Sequence, residues 1–299
     1  MKNFTINNND ANQTLIKFIK KMYKNTNLSI IQKWFRKGKI KVNSKRTKDP
    51  KYLLMLNDFI EVYDNENPVQ RLIQQEVDFS NLKILYEDEN IIVIDKDQGV
   101  EVHSPVAISL DSMVRSYLIS KNDYDPELEN SFVVSHVHRI DKLTKGIVIY
   151  AKNKSTLTYF VNNINNKNKI KKIYLAKTEQ NNLPTGQIKG FIYYDNDNKK
   201  SFFNIKETKN FNNKTIEQFV ENIDDSQNIY KIQIETGRKH QIRAFCEYYK
   251  SPVINDFKYG AKSQKDWGFG LISYEVSFND FEEHLTYLNG ITITSKLSF

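Results

Sequence analysis

Two short runs of ionisable residues, far apart in the chain, contain the side chains best suited to chemistry. Residues 138–146 read His-Arg-Ile-Asp-Lys-Leu-Thr-Lys-Gly, and residues 236–243 read Thr-Gly-Arg-Lys-His-Gln-Ile-Arg. Both runs are flanked by apolar segments typical of strands or helices, so folding could bring Asp141 and Arg243 into one cleft. A carboxylate that faces a guanidinium can react without a metal or a cofactor, and we expect neither.

Asp141 is predicted to lie on a loop that enters a strand. Thr144 and Gly146 follow it, and the apolar residues 147–150 come next. A loop at the edge of a sheet is a rigid mount for a reactive group. An isolated loop aspartate could instead cap a turn or pair with Lys142 at the surface.

The second run predicts a sharp turn followed by a helix start. Gly237 follows the apolar residues 230–234 and would let the backbone turn. Arg238, His240 and Arg243 would then lie on or near the first turns of the helix, where anions are favoured. The same pattern also fits a basic helix end that is only solvated by water.

Apolar patterns elsewhere predict the elements that must position these runs. Strands are expected at residues 84–86, 91–94, 147–150, 173–175 and 230–234. Helices are expected near residues 109–120, 154–165 and 239–249. Long strand runs with a few inserted helices indicate an α+β domain built on a mixed, mainly antiparallel sheet. The Asn- and Lys-rich stretch 195–228 is expected to form hairpins.

The N-terminal region is strongly basic, with twelve Lys or Arg and no Asp or Glu between residues 11 and 48. One predicted helix is apolar at i, i+3, i+4 and i+7, which are Leu15, Phe18, Ile19 and Met22. A second helix is expected to begin at a capping box formed by Ser29 and Gln32 and to end at a left-handed Gly38. It would bury Ile30, Ile31, Trp34 and Phe35.

A short strand is expected next, at Ile40 and Val42, and completes a helix-turn-helix-strand unit. The basic side chains on its predicted surface are Lys33, Arg36, Lys37, Lys39, Lys41, Lys45 and Arg46. Such a surface suits an RNA phosphate backbone. A small solvated helical pair without an RNA partner is the alternative.

Composition limits the classes of protein to consider. With 299 residues, 39% of them hydrophobic, the chain can form one large domain and a small one. Its single cysteine, Cys246, rules out an internal disulfide, and we expect it to be buried in a helix. No apolar run reaches membrane-spanning length and the polar start lacks a signal-peptide core, so we expect a cytoplasmic protein that does not contact membranes. We predict domains at residues 1–63 and 81–299, joined by a polar linker at 64–80.

Several runs taken together resemble the RluA-type family of pseudouridine synthases. The family patterns H-R-L-D-x-x-T-S-G and T-G-R-T-H-Q-I-R-V-H are similar to the two polar runs described above. Further matches lie, in family order, at residues 84–90, 96–103, 172–176 and 252–260. Residues 29–43 and 57–60 resemble the S4 RNA-binding domain, and residues 36–46 are similar to the ribosomal large subunit pseudouridine synthase C group.

The resemblance implies a pseudouridine synthase fold with an S4-like RNA-binding domain. It also implies a monomeric isomerase that acts on RNA, and large-subunit ribosomal RNA is the substrate that it favours. Asp141 corresponds to the family's essential aspartate, Tyr174 to the tyrosine stacked on the target uracil, and Arg243 to the arginine paired with the aspartate. Arg139 matches the arginine that helps to fill the space left by the flipped nucleotide. Other side chains expected to contact RNA are His138, Arg238 and His240.

The chain departs from the family pattern at several positions. These are Lys145 for Ser in T-S-G, Asp97 for Pro in K-P-x-G, Phe245 for His in R-V-H and Ile272 for His in L-H-A. None removes Asp141, Tyr174 or Arg243. They bear on the shape of the pocket and on the choice of uridine.

Three other functions fit parts of the pattern. The spacing His136-x-His138 with Asp141 nearby imitates a zinc hydrolase, although no further His or Cys cluster completes the ligand set. A non-catalytic RNA-binding or ribosome-assembly protein would keep the basic surface and lack the reaction. A synthase that acts on transfer RNA would read the same base in another loop.

Overall fold

The computed structural model describes residues 1–64, 68, 76–208, 214–262 and 268–299. Most of the predicted linker lies outside these described residues. The chain divides into two compact units. The first comprises Met1–Val77, Arg115–Val134 and Asn153–Ser155, and the second comprises Asp78–Val114, Ser135–Lys152 and Thr156–Phe299. The first unit therefore takes in two segments from the region predicted as the second domain. Among the described residues, no helix has the length and apolar character needed to cross a membrane.

The N-terminal part of the first unit, residues 1–64, contains two helices packed on a small antiparallel sheet. Its elements are β1 (Lys2–Thr5), α1 (Leu15–Met22), α2 (Leu28–Arg36), β2 (Ile40–Val42), β3 (Lys45–Arg46) and β4 (Phe59–Val62). The strand order is β1-β4-β2-β3. The apolar faces of both helices join the buried side chains of β2 and β4 in one core. The predicted helix-turn-helix-strand pattern is thus confirmed.

Two details of the predicted second helix were wrong. α2 begins at Leu28 after Asn27, with no side-chain cap, so Ser29 and Gln32 form no capping box at its start. Ile30 is 36% exposed because it lies about 100° around the helix from the buried Ile31. The predicted stop is confirmed: Gly38 has a φ of +61°.

The second unit is built on one mixed, mainly antiparallel sheet, as the sequence predicted. Its strands are β5 (Ile84–Glu87), β6 (Ile91–Lys96), β7 (Ser135–His136), β8 (Lys145–Ala151), β9 (Ile170–Lys177), β10 (Gly186–Asp195), β11 (Lys200–Asn204), β12 (Lys214–Asp224), β13 (Ile229–Ile234), β14 (Leu271–Phe278) and β15 (Thr292–Thr294). The main order is β11-β10-β12-β13-β9-β14-β8-β6-β5, with β15 on β14 and β7 on β8. Among the described residues, β8 and β14 form the one parallel pair.

Three helices of at least two turns accompany this sheet in the chain: α3 (Leu110–Ser120), α4 (Lys154–Asn163) and α5 (Gln241–Tyr248). Short 3-10 helices occur at Phe257–Tyr259 and Glu283–Leu288. All five predicted strands and all three predicted helices are present. The described part of the stretch 195–228 contains β11 and all of β12, and the antiparallel pairs β10–β11 and β12–β13 confirm the predicted hairpins.

A row of paired residues across four strands sets the geometry next to Asp141. Gly146 of β8 pairs with Ser273 of β14, Ser273 pairs with Tyr174 of β9, and Tyr174 pairs with Ile232 of β13. Gly146 has a φ of +108°, and a Cβ atom there would overlap the Ser273 carbonyl oxygen. Glycine is therefore required for this close approach of β8 to β14.

Candidate active site

Asp141 lies on the loop that leads into β8, as predicted, in a cleft of about 910 Å³. Tyr174 and Arg243 line the same cleft. The Asp141 side chain is 27% exposed, so its carboxylate is accessible from the cleft while still surrounded by protein.

The Asp141 loop is anchored from below by a buried lysine. Lys96, at the end of β6, is 1% exposed and donates hydrogen bonds to the carbonyls of Asp97, Val100 and Lys142 at 2.9–3.1 Å. Burial lowers the pKa of Lys96 to about 8, although the negative charges of Asp141 and Asp97 act to raise it. Because Lys142 directly follows Asp141, this ammonium group fixes the backbone beside the carboxylate.

The turn before α5 is built by a side-chain clamp. Gln241 Oε1 accepts hydrogen bonds from the Thr236 hydroxyl at 2.9 Å and from the Arg238 amide at 3.2 Å. The residue with left-handed backbone in this turn is His240, with a φ of +53°. Arg243 lies within the first turn of α5.

Arg243 connects two carboxylates. Its Nη1 donates to Asp141 Oδ2 at 2.9 Å, while its Nε and Nη2 donate to the two oxygens of Asp256 at 2.7 and 2.8 Å. The guanidinium lies over the rings of Tyr259 and Phe269, with its central carbon 4.7 and 5.4 Å from their centroids. Burial alone would lower the pKa of Arg243, but the hydrogen bonds and charges of both carboxylates outweigh it and raise that pKa. The arginine is therefore a fixed cation against Asp141.

The second oxygen of Asp141 is the one available for chemistry. Asp141 Oδ1 lies 3.7 Å from His240 Nε2, beyond hydrogen-bond distance, and accepts no hydrogen bond from the described residues. Burial lowers the pKa of His240 to about 4. The negative charge of Asp141 acts to raise this pKa, and the positive charge of Arg243 acts to lower it. His240 is therefore neutral near pH 7.

A chain of polar contacts lies behind His240. The Tyr259 hydroxyl accepts from the Ser201 amide at 2.8 Å and lies 2.7 Å from His240 Nδ1. If that hydroxyl donates its own proton to Nδ1, the imidazole proton is on Nε2, which faces Asp141. In that tautomer, His240 offers Asp141 a neutral donor.

Tyr174 presents a flat ring in the same cleft. Burial raises its pKa to about 12, with a lowering contribution from Ser273 and a raising one from the charge of Asp141. Its hydroxyl is therefore protonated at neutral pH. A ring of this kind beside a carboxylate can stack on a planar base and offer a polar group at its edge.

Comparisons with known proteins agree with this geometry. Residues 90–248 match the family model described as RNA pseudouridylate synthase. An uncharacterized RNA pseudouridine synthase of Mycoplasma capricolum subsp. capricolum is 42% identical over 98% of this chain and 97% of its own. The chain belongs to the RNA pseudouridine synthase family.

More distant relatives extend the comparison. The ribosomal large subunit pseudouridine synthase C of Buchnera aphidicola subsp. Baizongia pistaciae is 29% identical over 86% of this chain and 80% of its own. The solved structure of human RNA pseudouridylate synthase domain containing 4 superimposes with a TM-score of 0.52 at 20% identity, over 72% of this chain and 88% of that one. The similarity to the human structure shows a shared fold alone.

Members of this family are isomerases, and the reaction defines what the synthase site must do. The N1–C1′ bond of uridine breaks, the uracil turns, and a C5–C1′ bond forms, while C5 loses a proton and N1 gains one. Atoms and electrons balance without a co-reactant. The site therefore needs a group for C1′, a platform for the detached base and a path for the C5 proton.

The remaining predicted residues of the synthase cleft differ in how accessible they are. Arg139 is exposed and lines the cleft beside Asp141. Arg238 is also exposed, with its Nε 3.4 Å from the Thr215 carbonyl. His138 lines the cleft, but its Nε2 accepts a hydrogen bond from the Ile149 amide at 3.3 Å. Burial, with the charge of Lys172, lowers the pKa of His138 to about 3, so it is neutral and is engaged in holding β8.

The basic side chains predicted on the first unit fall into two groups. Those that are exposed are Lys33, Arg36, Lys37, Lys45 and Arg46. Lys39 and Lys41 are partly buried and have partners: Lys39 pairs with Asp64 at 2.6 Å, and Lys41 donates to the Tyr63 hydroxyl at 2.8 Å. The exposed group is the part of the surface open to a polyanion.

Sequence reasoning missed three residues that shape the site. The sequence shows Asp256, Lys96 and Tyr259 only as members of segments that resemble the family. None of the three was predicted to contact the Asp141–Arg243 pair or the loop that contains Asp141. The signal available was the run of residues 252–260, where an aspartate and a tyrosine stand close together beside a glycine. Nothing in that spacing tells which arginine the aspartate meets.

The departures from the family pattern have structural partners in this synthase. Lys145 donates to the Ser298 carbonyl at 2.6 Å. Asp97 pairs with Lys83 at 2.7 Å, whereas Phe245 and Ile272 are fully buried. None of the four is hydrogen-bonded to Asp141 or Arg243 among the described residues.

The spacing His136-x-His138 does not produce a zinc hydrolase site. His136 Nδ1 is hydrogen-bonded to Asp111, and His138 Nε2 to the backbone of β8. In the described ranges, no group of three or more His, Cys, Asp or Glu residues is arranged to hold a metal ion.

Proposed function

We propose that this synthase converts specific uridines of large-subunit ribosomal RNA to pseudouridine, with Asp141, Arg243 and Tyr174 as its catalytic residues. The observation that carries the proposal is the 2.9 Å contact between Asp141 and Arg243 beside Tyr174. The choice of RNA is supported by relatives named as large-subunit synthases C and D, one of them 31% identical over 60% of this chain.

The proposed roles follow from charge and access. The Asp141 carboxylate, kept ionised by Arg243, acts at the ribose of the target uridine. Attack at C1′, stabilisation of cationic character there and removal of a sugar proton are all open to it. Tyr174 stacks on the detached uracil, and its hydroxyl helps to move the C5 proton once C5 has joined C1′.

The target nucleotide must leave its stack to reach Asp141, which costs a few kcal/mol. Arg139, exposed at the cleft, is proposed to occupy the vacated space. Arg238 and His240 are proposed to contact the RNA or the base at the α5 end, and His138 lines the same cleft. Cationic contacts to the backbone offset the cost of flipping.

The first unit is proposed to be an S4-like RNA-binding domain. Its two amphipathic helices, the following strand and the exposed group Lys33, Arg36, Lys37, Lys45 and Arg46 support this proposal. Lys39 and Lys41 would contribute after exchanging their present partners. We propose that the protein acts as a monomer in the cytoplasm, where ribosomal RNA is made in bacteria.

Mapping pseudouridines in cellular RNA with and without this protein tests the proposal. We expect one or more large-subunit ribosomal positions to revert to uridine when the protein is absent and to be restored by the wild-type chain. Loss confined to transfer RNA would overturn the ribosomal assignment. An unchanged map, together with inactivity of the purified protein, would support a non-catalytic RNA-binding role.

A further inference from the structure

A second polar cluster lines the same cleft and has no part in the reaction described above. Asp111, on α3, is 3% exposed. Its Oδ2 is 2.8 Å from His103 Nδ1, and its Oδ1 is 2.8 Å from His136 Nδ1 and 2.9 Å from the Tyr150 hydroxyl. One buried carboxylate thus holds two imidazole rings by the same ring nitrogen.

This arrangement fixes how both rings are presented. Because Nδ1 of each ring is directed at Asp111, the opposite nitrogen, Nε2, is left for another partner. Within the described part of the chain, neither Nε2 has a hydrogen bond. Both histidines line the cleft, and their ring centroids are 6.1 Å apart. A purely structural role for Asp111 would not require both rings to face the cleft.

The surroundings of the pair suit an anion. Cationic residues that line the same cleft are Arg139, Lys142, Lys172, Arg238, Lys239 and Lys258. The acidic residues that line it are already matched: Glu101 with Lys142 at 3.3 Å, and Asp141 with Arg243. A strand of RNA whose target base reaches Asp141 must continue past other parts of this cleft with its phosphates.

We propose that His103 and His136 bind a backbone phosphate of the RNA next to the flipped nucleotide. Each imidazolium would donate Nδ1–H to Asp111 and Nε2–H to a phosphate oxygen, so that its charge lies between two anions. Asp111 is then a positioning residue for both rings. The proposal rests on the proposed function, because it needs an RNA substrate in this cleft.

Asparagine substitutions isolate the Nε2 atoms. The side-chain amide of asparagine can replace Nδ1–H toward Asp111, whereas nothing replaces Nε2. With an RNA fragment that carries the mapped uridine, we expect H103N/H136N to raise the half-saturating RNA concentration roughly tenfold or more, as charged hydrogen bonds are lost. Turnover at saturating RNA should stay within about twofold of wild type. His284→Asn, at a histidine that does not line the cleft, is the matched control and should change neither value.

Phosphate neutralisation identifies the ligand. Single phosphates beside the target uridine are replaced, one at a time, by neutral methylphosphonates. At one position the replacement should weaken RNA binding by the wild type, and the same replacement should not weaken RNA binding by H103N/H136N any further. Additive losses at every position, or an unchanged half-saturating concentration in the double variant, would overturn the proposal. H103N alone, at a half-exposed site, provides the same comparison if the double variant does not fold. Absence of conversion by the wild-type protein would instead count against the proposed function.

Discussion

Asp256 is predicted to be as important for the Asp141–Arg243 pair as either partner. Its side chain is 1% exposed and receives two hydrogen bonds from Arg243. Asp256→Asn keeps the shape of the side chain but removes its charge and turns one acceptor into a donor. The buried guanidinium would then depend on Asp141 alone for countercharge.

The magnitude follows from burial. Removing one partner of a buried ion pair costs about 3–5 kcal/mol, because the other charge is left uncompensated. Asp141 still faces Arg243 at 2.9 Å and one amide oxygen can still accept, so the lower end, about 3 kcal/mol, is expected. Turnover should also fall, because Arg243 can shift toward Asp141 and change the position of its available oxygen.

Urea unfolding and single-turnover conversion of uridine measure the two effects. The matched control is Asp95→Asn, at another buried aspartate of the second unit, which accepts from the Ser295 hydroxyl and the Lys296 amide and does not line the cleft. Because a hydroxyl and a backbone amide, both neutral, donate to Asp95, the control should lose about 1–2 kcal/mol and keep its turnover. Equal stability losses in the two variants, or wild-type turnover in D256N, would refute the reasoning.

Three further predictions concern single side chains. Tyr174→Phe should bind RNA as the wild type does but convert uridine about 10²-fold more slowly, because stacking remains and the hydroxyl is lost. Steady-state kinetics measure the half-saturating RNA concentration and the turnover number. An unchanged turnover number would show that the hydroxyl takes no part in the mechanism. The pKa of His240 is about 4 in the folded protein and about 6.5 in an unfolded chain. Between these pH values the unfolded chain binds more protons than the folded one, so the free energy of unfolding falls as the pH drops from about 6.5 to about 4. His240→Gln should reduce that slope by at most about 1.4 kcal/mol per pH unit in urea titrations, and an identical slope would contradict the assignment. Lys145→Met should cost about 1–2 kcal/mol of stability, by loss of the hydrogen bond to Ser298, and leave uridine conversion unchanged; a loss of activity would place Lys145 in the site.

The strands and the helices were predictable because local patterns encode them, whereas the pairing of Asp141 with Arg243 was expected from the family resemblance. Apolar periodicity identifies β8 and α5, and each reactive residue stands beside one of these elements. The partners that stabilise the pair come from other parts of the chain. Asp256 follows a loop after α5, and Lys96 ends β6, so their contacts depend on tertiary packing that periodicity does not contain.

The error at the start of α2 and the details not predicted at the turn before α5 are both local. Ser29 and Gln32 satisfy the capping-box spacing, but α2 begins one residue earlier because Asn27 precedes it in extended conformation. At the turn before α5, the sequence predicted that Gly237 would let the chain turn. It did not predict the hydrogen bonds to Gln241 that hold this turn, or the left-handed conformation of His240.

The most direct test of the central claim is tritium release from RNA labelled at uracil C5. Joining C5 to C1′ expels the C5 hydrogen, so each pseudouridine formed sends one label to water. Wild-type protein should release tritium from its target RNA, and Asp141→Asn should bind that RNA while releasing none above background. Release by D141N at the wild-type rate would contradict the account.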